Sequence, residues 1–343
     1  MVKTHLVTGG SGFLGNLIVQ KLINDNQNVI VLDIWKSPNL NKKVKFILGS
    51  VLDENILKIA MKGVDIVHHN AALVPLTKSG KEFWNINVNG SELVAKIALT
   101  NNIESFIHMS SSALYGNPIC PINNNTLLKP IEIYGESKLE GEKRVKKILN
   151  NSNVKLVIIR PRTILGEGRL GIFQILFEWI SQNKNVYTIG NGKKLFQFIH
   201  AHDLMDFYMI ILEKNLSGSF NLGTPEFGEL KSDLEYLINA VNSKSKVKSL
   251  PEKFTILSLK FLDLIKLSPL APWHYLTYHK EFYFETKSLL KLGWEPKYGN
   301  KEMLLESYNW FLENKENLKV NEMGSPHRRR VKEMVLKILK WIS

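Results

Sequence analysis

Five short apolar runs, rich in β-branched residues, recur through the first half of the chain: THLVT at 4–8, NVIVLD at 28–33, VDIVHH at 64–69, SFIHMS at 105–110 and KLVIIR at 155–160. Runs of this length, bounded by turns, suit strands buried on both faces. The segments between them carry helical patterning. Strand–helix–strand repetition of this kind predicts an α/β fold, a doubly wound parallel sheet with helices on both sides.

After about residue 165 the rhythm loosens, and turn clusters such as GEGRLG, IGNGKK and LGTPEFG break the chain. The 343 residues suffice for two lobes. The reading is a nucleotide-binding layer over 1–165, with later segments near 196–222 crossing back, and a smaller mixed substrate lobe over 166–318. A basic extension, 319–343, follows. The stretch LPEKFTILSLKFLDLIKLSPLAPWHYLTY reads as a lid or pocket wall, against ordinary core packing.

Composition narrows the function classes. Of the residues 44% are hydrophobic and 22% charged, as in ordinary globular domains. No apolar run reaches the ~18 residues that span a bilayer, and MVKTHLVTGG runs straight into a strand, which argues against a cleavable signal. Cys120 is the only cysteine, so no internal disulfide forms and a reducing cytoplasm is expected. The net charge of +13 comes mostly from scattered lysine without interleaved aromatics, which points away from nucleic acid.

Between the first strand and first helix lies VTGGSGFLGNLIVQKL, with Gly9, Gly12 and Gly15 three residues apart. Small residues there let backbone approach a pyrophosphate, and the helix end offers open N–H groups. Asp33 closes the second strand at the ~20-residue offset expected of a carboxylate on a ribose hydroxyl. The pattern is that of a Rossmann-type dinucleotide site. A carboxylate at Asp33 repels a 2′-phosphate, and Ile34 and Trp35 supply no arginine, so NAD is favoured over NADP, with Lys36 the one nearby cation.

In IEIYGESKLEGEKRV, Tyr134 and Lys138 stand at i and i+4 on one helix face. A cation beside a phenol lowers its pKa, and such a phenol exchanges protons with a substrate hydroxyl. The spacing alone is weak: Tyr283 and Lys287 repeat it far past the sheet strands and are set aside as coincidence.

These pieces together resemble the extended short-chain dehydrogenase/reductase family, in particular its sugar-nucleotide epimerase and dehydratase branch. The matching segments, in the family's order, are TGGSGFLG at 8–15, Asp33, VHHNAA at 67–72, NVNGS at 87–91, SSSALYG at 110–116, Tyr134 with Lys138, RPRTILGEG at 160–168, FIHAHDL at 198–204 and LGWEP at 292–296. The resemblance implies tightly held NAD, with Gly9, Gly12 and Gly15 under the pyrophosphate and Phe13 and Leu14 beside them. It places Asp33 on the adenosine ribose, and Ser50 and Val51 at adenine, Ser50 standing where the family usually has an acid. Asn70, Ala71 and Ala72 would flank the cofactor, Asn87 would brace the adjoining strand, and Ser110 and Pro161 would lie toward the nicotinamide. Ser111, four residues before Tyr115, takes the family's catalytic hydroxyl position, with Tyr134 as proton carrier. Val74, Ser112 and Thr163 are the substrate-side candidates. A homodimer through helices near 80–100 and 134–150 is also implied.

Departures from the family pattern narrow the chemistry. Dehydratases of the family carry an Asp-Glu pair after the catalytic hydroxyl; here Ser112 and Ala113 stand there, which disfavours elimination and sugar-acid decarboxylation. Two readings stay open, a sugar-nucleotide epimerase and a 3β-hydroxysteroid dehydrogenase-like oxidoreductase that releases NADH from an apolar ring alcohol. Against the first, Thr163 stands where epimerases usually have asparagine, and no arginine lies between Leu170 and Pro326. A third, an idle NAD-binding scaffold, is opposed by the complete Ser111, Tyr134, Lys138 set. His68, His69, His200 and His202 lack the partners of a metal site, so no metal is expected. In the tail, Val331, Met334, Val335, Ile338, Leu339 and Ile342 repeat at helical spacing among lysines, a pattern suited to peripheral membrane contact or to packing on protein.

Overall fold

The structure, a computed structural model, describes residues 1–75, 79–265, 267–268 and 270–320. The amphipathic pattern at 331–342 lies outside the described residues. In chain order the strands are β1 (Thr4–Thr8), β2 (Asn28–Asp33), β3 (Lys45–Leu48), β4 (Ile66–His69), β5 (Ser105–Met109), β6 (Lys155–Pro161) and β7 (Thr163–Leu165). They continue as β8 (Val186–Ile189), β9 (Leu195–Phe196), β10 (Phe198–His200), β11 (Gly218–Leu222), β12 (Gly228–Glu229) and β13 (Val247–Leu250). The helices are α1 (Phe13–Asn24), α2 (Glu54–Met61), α3 (Glu82–Trp84), α4 (Ser91–Thr100), α5 (Ile133–Leu149) and α6 (Phe173–Ser181). After them come α7 (Ala201–Glu213), α8 (Leu230–Ala240), α9 (Glu252–Leu264), α10 (Pro272–Thr277), α11 (Lys287–Leu290) and α12 (Asn300–Val320).

Seven strands form one parallel sheet in the order β11-β6-β5-β4-β1-β2-β3. All five apolar runs of the sequence are central strands. The two strands with weaker sequence signals, β3 and β11, are the edges, where half-exposure relaxes the need for an all-apolar run. Alternation sends Val7, Val31, Ile107 and Ile159 into the layer beneath α1 and α7. Leu6, Leu32, Val67 and Phe106 go the other way, under α2, α4 and α5. The order reverses between β1 and β4, the switch point at which doubly wound sheets open a crevice at their carboxyl ends.

Six helices, α1 and α4–α8, are each followed two residues on by an asparagine with positive φ: Asn26, Asn102, Asn151, Asn183, Asn215 and Asn242. Asparagine tolerates this left-handed stop better than other residues with a Cβ. Past β6 the chain builds a second core around Phe173, Phe177, Phe196, Phe198, Leu234 and Tyr308, with three two-stranded sheets, β10-β7, β12-β9 and β13-β8.

The expectation for the segment at 250–278 holds in its second half only. Most of the large apolar side chains of α9 face outward and only Leu259 is buried, so this helix is neither pocket wall nor ordinary core. The wall is made by the end of the same segment, where Trp273 and His274 of α10 and then Tyr278 line the cleft.

Candidate active site

A cleft of about 290 Å³ opens where the carboxyl ends of β1, β4, β5 and β6 meet the second core. At its floor is the glycine turn. Gly9 adopts φ 70°, and a Cβ there would stand 2.8 Å from the Ala71 backbone, so only glycine lets the β1 and β4 ends close on each other. A Cβ on Gly15 would sit 2.1 Å from the Gly9 carbonyl oxygen. Gly15 therefore supports the turn from behind rather than lining the cleft, whereas Gly9, Gly12, Phe13 and Leu14 do line it. Gly12 caps α1 without a side chain, which leaves the helix's first amides open toward the cleft.

Asp33 accepts hydrogen bonds from the Ser11 amide at 3.0 Å and the Trp35 amide at 3.3 Å, while burial pushes its carboxyl pKa up. Lys36, the one nearby cation, has its ammonium 5.5 Å from the Phe46 ring centroid and does not line the cleft. Ser50, Val51, Asn70, Ala71, Ala72, Ser110 and Pro161 all line it. Asn87 does not: its Oδ1 accepts from the Leu73 amide at 2.8 Å and its Nδ2 donates to the Leu73 carbonyl and to Ser137 Oγ, each at 3.1 Å. It fixes the loop after β4 from outside. A glycine floor, an open helix end and a carboxylate at the far end, all in one cleft, fit NAD.

The three serines after β5 separate by partner. Ser110 Oγ donates to Glu142 Oε2 at 3.0 Å, and that carboxylate also receives Arg160 Nε at 3.1 Å, a buried ion pair beneath the site. Ser112 Oγ accepts from Arg162 Nη1 at 3.2 Å. Ser111 caps the short 3₁₀ turn Ser112–Tyr115 by accepting from the Ala113 amide at 3.1 Å, and it alone of the three hydrogen-bonds Tyr134. Tyr134, Lys138 and Glu142 recur every four residues on the buried face of α5, so one helix carries the phenol, the ammonium and the brace beneath them.

The electrostatics differ from the sequence expectation. Burial pushes the Tyr134 phenol up to about 12, and the groups that pull it down are the Ser111 hydrogen bond and the charge of Arg169, not Lys138. Lys138 Nζ donates to the Met109 carbonyl at 2.6 Å, and burial draws its ammonium down to about 8. The i, i+4 spacing brings both groups to the cleft without making the lysine the phenol's activator in this state.

Two arginines complete the reacting end. Arg162 is buried, with its guanidinium 3.9 Å from the Phe282 ring centroid and 4.7 Å from that of Phe196, and its Nε donates to the Gln197 carbonyl at 3.0 Å. Its Nη2 has no partner among the described residues. Arg169 lines the cleft 5.9 Å from the Phe13 ring centroid, close enough to Tyr134 and Tyr278 to feel both phenols. Among the described lining residues the only carboxylate is Asp33, at the end of β2. Counting arginines from Leu170 onward missed both, because they stand just upstream, on the β6–β7 link and in the loop after β7. On the opposite wall stand Trp273, His274 and Tyr278; the Tyr278 hydroxyl lies 3.3 Å from Thr163 Oγ1. Val74 and Ser112 also line this end. Tyr283 and Lys287 take no part in the cleft. The histidines are structural: His68 Nδ1 lies 2.6 Å from the Tyr208 hydroxyl, and His200 Nε2 2.6 Å from Glu306 Oε2. No group of three or more metal-ligating side chains assembles among the described residues.

A family model described as the NAD dependent epimerase/dehydratase family matches residues 5–223. An uncharacterized protein of Sinorhizobium fredii is 36% identical over 99% of this chain and 86% of its own length. The human dTDP-D-glucose 4,6-dehydratase is 25% identical over 92% of each chain. The human decarboxylating sterol-4-alpha-carboxylate 3-dehydrogenase is 30% identical over 66% of this chain and 61% of its own. Among solved structures, the UDP-glucuronic acid 4-epimerase from Bacillus cereus, in complex with NAD, superposes with a TM-score of 0.74 at 21% identity, covering 90% of this chain and 99% of that one. The chain belongs to the NAD-dependent epimerase/dehydratase family and is an NAD-dependent enzyme of the extended short-chain dehydrogenase/reductase type.

Proposed function

We propose that the protein is a nucleotide-sugar epimerase of the UDP-glucose 4-epimerase kind, which inverts one secondary alcohol without net redox change. The observation that carries this reading is the charge of the reacting end: Lys138, Arg162 and Arg169 line it, no carboxylate among the described lining residues stands at that end, and only Lys138 feels one from beneath, Glu142. A buried guanidinium without a counter-charge is costly, and an anionic substrate supplies the missing partner. A neutral ring alcohol does not.

NAD, when bound in the cleft, would supply the acceptor for a hydride from the carbinol carbon and its source on the return. Ser111 Oγ orients the substrate hydroxyl, and Tyr134 Oη accepts its proton and later gives it back. Lys138, fixed to the Met109 carbonyl, would have its remaining N–H groups available to the cofactor ribose. The absence of an acid at Ser112 and Ala113 separates this chain from water elimination, the activity named for its human dehydratase relative.

The sterol dehydrogenase-like alternative retains support from the aromatic wall of Trp273 and Tyr278 and from the sterol relative. Absorbance at the reduced-nicotinamide band, followed during turnover with UDP-sugars and with hydroxysteroids, separates the two. Epimerised product without net NADH supports the proposal, and stoichiometric NADH from a steroid overturns it. Arg169→Leu is expected to raise KM for a UDP-sugar about tenfold or more while leaving NAD affinity nearly unchanged. The family's dimer, through α4 and α5, is part of the same proposal; these two helices already pack on each other within the chain.

A further inference from the structure

Helix α9 presents an apolar stripe to solvent. Phe254, Leu257, Phe261 and Leu264 are 72, 68, 61 and 80% exposed, and Ile265 and Leu267 extend the patch past the helix end. At about 100° per residue these side chains fall within an arc of about 100°, a coherent face rather than scattered exposure. Contiguous apolar surface of this kind on a folded chain marks a contact site.

The charges around the stripe say what covers it. Lys253 and Lys260 project about 20–40° beyond one edge. The two acids of the helix, Glu252 and Asp263, lie on the opposite side, and Glu252 is already engaged by Lys280 Nζ at 2.8 Å. Exposed phenylalanine and leucine edged by lysine, with acids turned inward, is the pattern of a helix lying in an anionic lipid interface. A two-fold pairing of the same faces would bring lysines against lysines with no acid to meet them, which disfavours a second copy as occupant. The C-terminal sequence repeats the composition, apolar at helical spacing with interleaved lysine, so the chain carries two interfacial signals where one gives only weak binding.

We infer that α9 is a membrane-docking helix, which seats the protein on an anionic bilayer surface. The chain then turns into α10, whose Trp273 and His274 line the cleft, so docking brings the substrate entrance to the lipid boundary. This holds whichever substrate occupies the cleft.

The test is sedimentation of the full chain with phosphatidylcholine vesicles, with and without phosphatidylglycerol, for the native sequence, the double variant Phe254→Ser with Phe261→Ser, and the double variant Lys253→Glu with Lys260→Glu. All four substituted side chains are solvent-facing, so unchanged NAD binding certifies folding. The native chain is expected to sediment with the anionic vesicles, and each variant to lose partition by about tenfold or more. Native binding that neither variant weakens assigns attachment to the tail and overturns the inference, as does failure of the native chain to bind. A drop in oligomer size in the Phe variant, seen by light scattering without loss of vesicle binding, overturns it in favour of a self-association face.

Discussion

A hydroxyl that must exchange a proton near neutrality sits here in surroundings that oppose it. Tyr134 is held up to about 12 by burial, and its only local relief is Ser111 and the charge of Arg169. The phenol is thus set to hold its proton until the charge around it changes on binding. Tyr134→Phe keeps the ring, its packing against Phe83 and the glycine turn, so NAD affinity is expected to stay within about twofold while turnover falls by about 10³ or more. Cofactor titration and single-turnover product analysis check both halves; retained turnover removes Tyr134 as proton carrier. Legibility at this scale depended on partners. Three adjacent serines are indistinguishable by composition; the family resemblance pointed to Ser111, and the partners Glu142, Arg162 and Tyr134, brought in from elsewhere in the chain, separate the three, with Ser111 the one hydrogen-bonded to Tyr134.

At the scale of elements, α5 holds the site in register by packing unusually close to the turn that precedes α4. Residues Asn85–Gly90 wind as a π-helix, and a Cβ on Gly141 would stand 2.2 Å from the Asn87 carbonyl oxygen. No rotamer relieves a backbone contact, so Gly141→Ala must push α5 outward, with Tyr134 and Lys138 on it. We expect a stability loss of about 2 kcal/mol or more and a fall in kcat larger than the change in KM. Urea unfolding and steady-state kinetics measure these, and an unperturbed kcat would show that α5 position does not govern the site. KLEGEK reads in sequence as ordinary helix, and nothing local to it or to NVNG foretells the contact. The open α9 face went unread for a similar reason: its apolar residues have the spacing of a core helix, and which side the rest of the chain covers is not a property of the helix.

On the scale of the whole molecule, four histidines lie in the central strands and are neutral by burial. His5 is drawn down to about 4 and His69 to about 3, with His68 and His108 well below their ordinary value. The unfolded chain takes up protons on these rings near pH 6.5, while the folded chain resists until far lower. The unfolded state therefore binds more protons between about pH 6.5 and 4, so stability is fully present above that window and falls as the pH descends through it. For His5, drawn down to about 4, the loss across this window is roughly 3 kcal/mol. Thermal unfolding at constant ionic strength is expected to show Tm dropping steeply from pH 6.5 to 4.5; a flat Tm there contradicts the buried, neutral assignment. His108 contributes a further cost, since neither ring nitrogen has a partner among the described residues.

What the sequence determined by itself was everything carried by local pattern. Five buried runs gave the central strands, the glycine spacing gave the turn at the floor of the cleft, Asp33 gave a carboxylate lining it, and the Tyr134–Lys138 interval gave one helix face. These survive because period, turn geometry and strand burial are set over a few residues. Tertiary structure decided the rest: what each of the three serines pairs with, that Arg162 and Arg169 rather than any later residue charge the cleft beside Tyr134, and that α10 lines the cleft while α9 faces outward. Those outcomes depend on contacts between segments a hundred or more residues apart, and on burial, whose free energy belongs to the assembled surroundings and to no single stretch of chain.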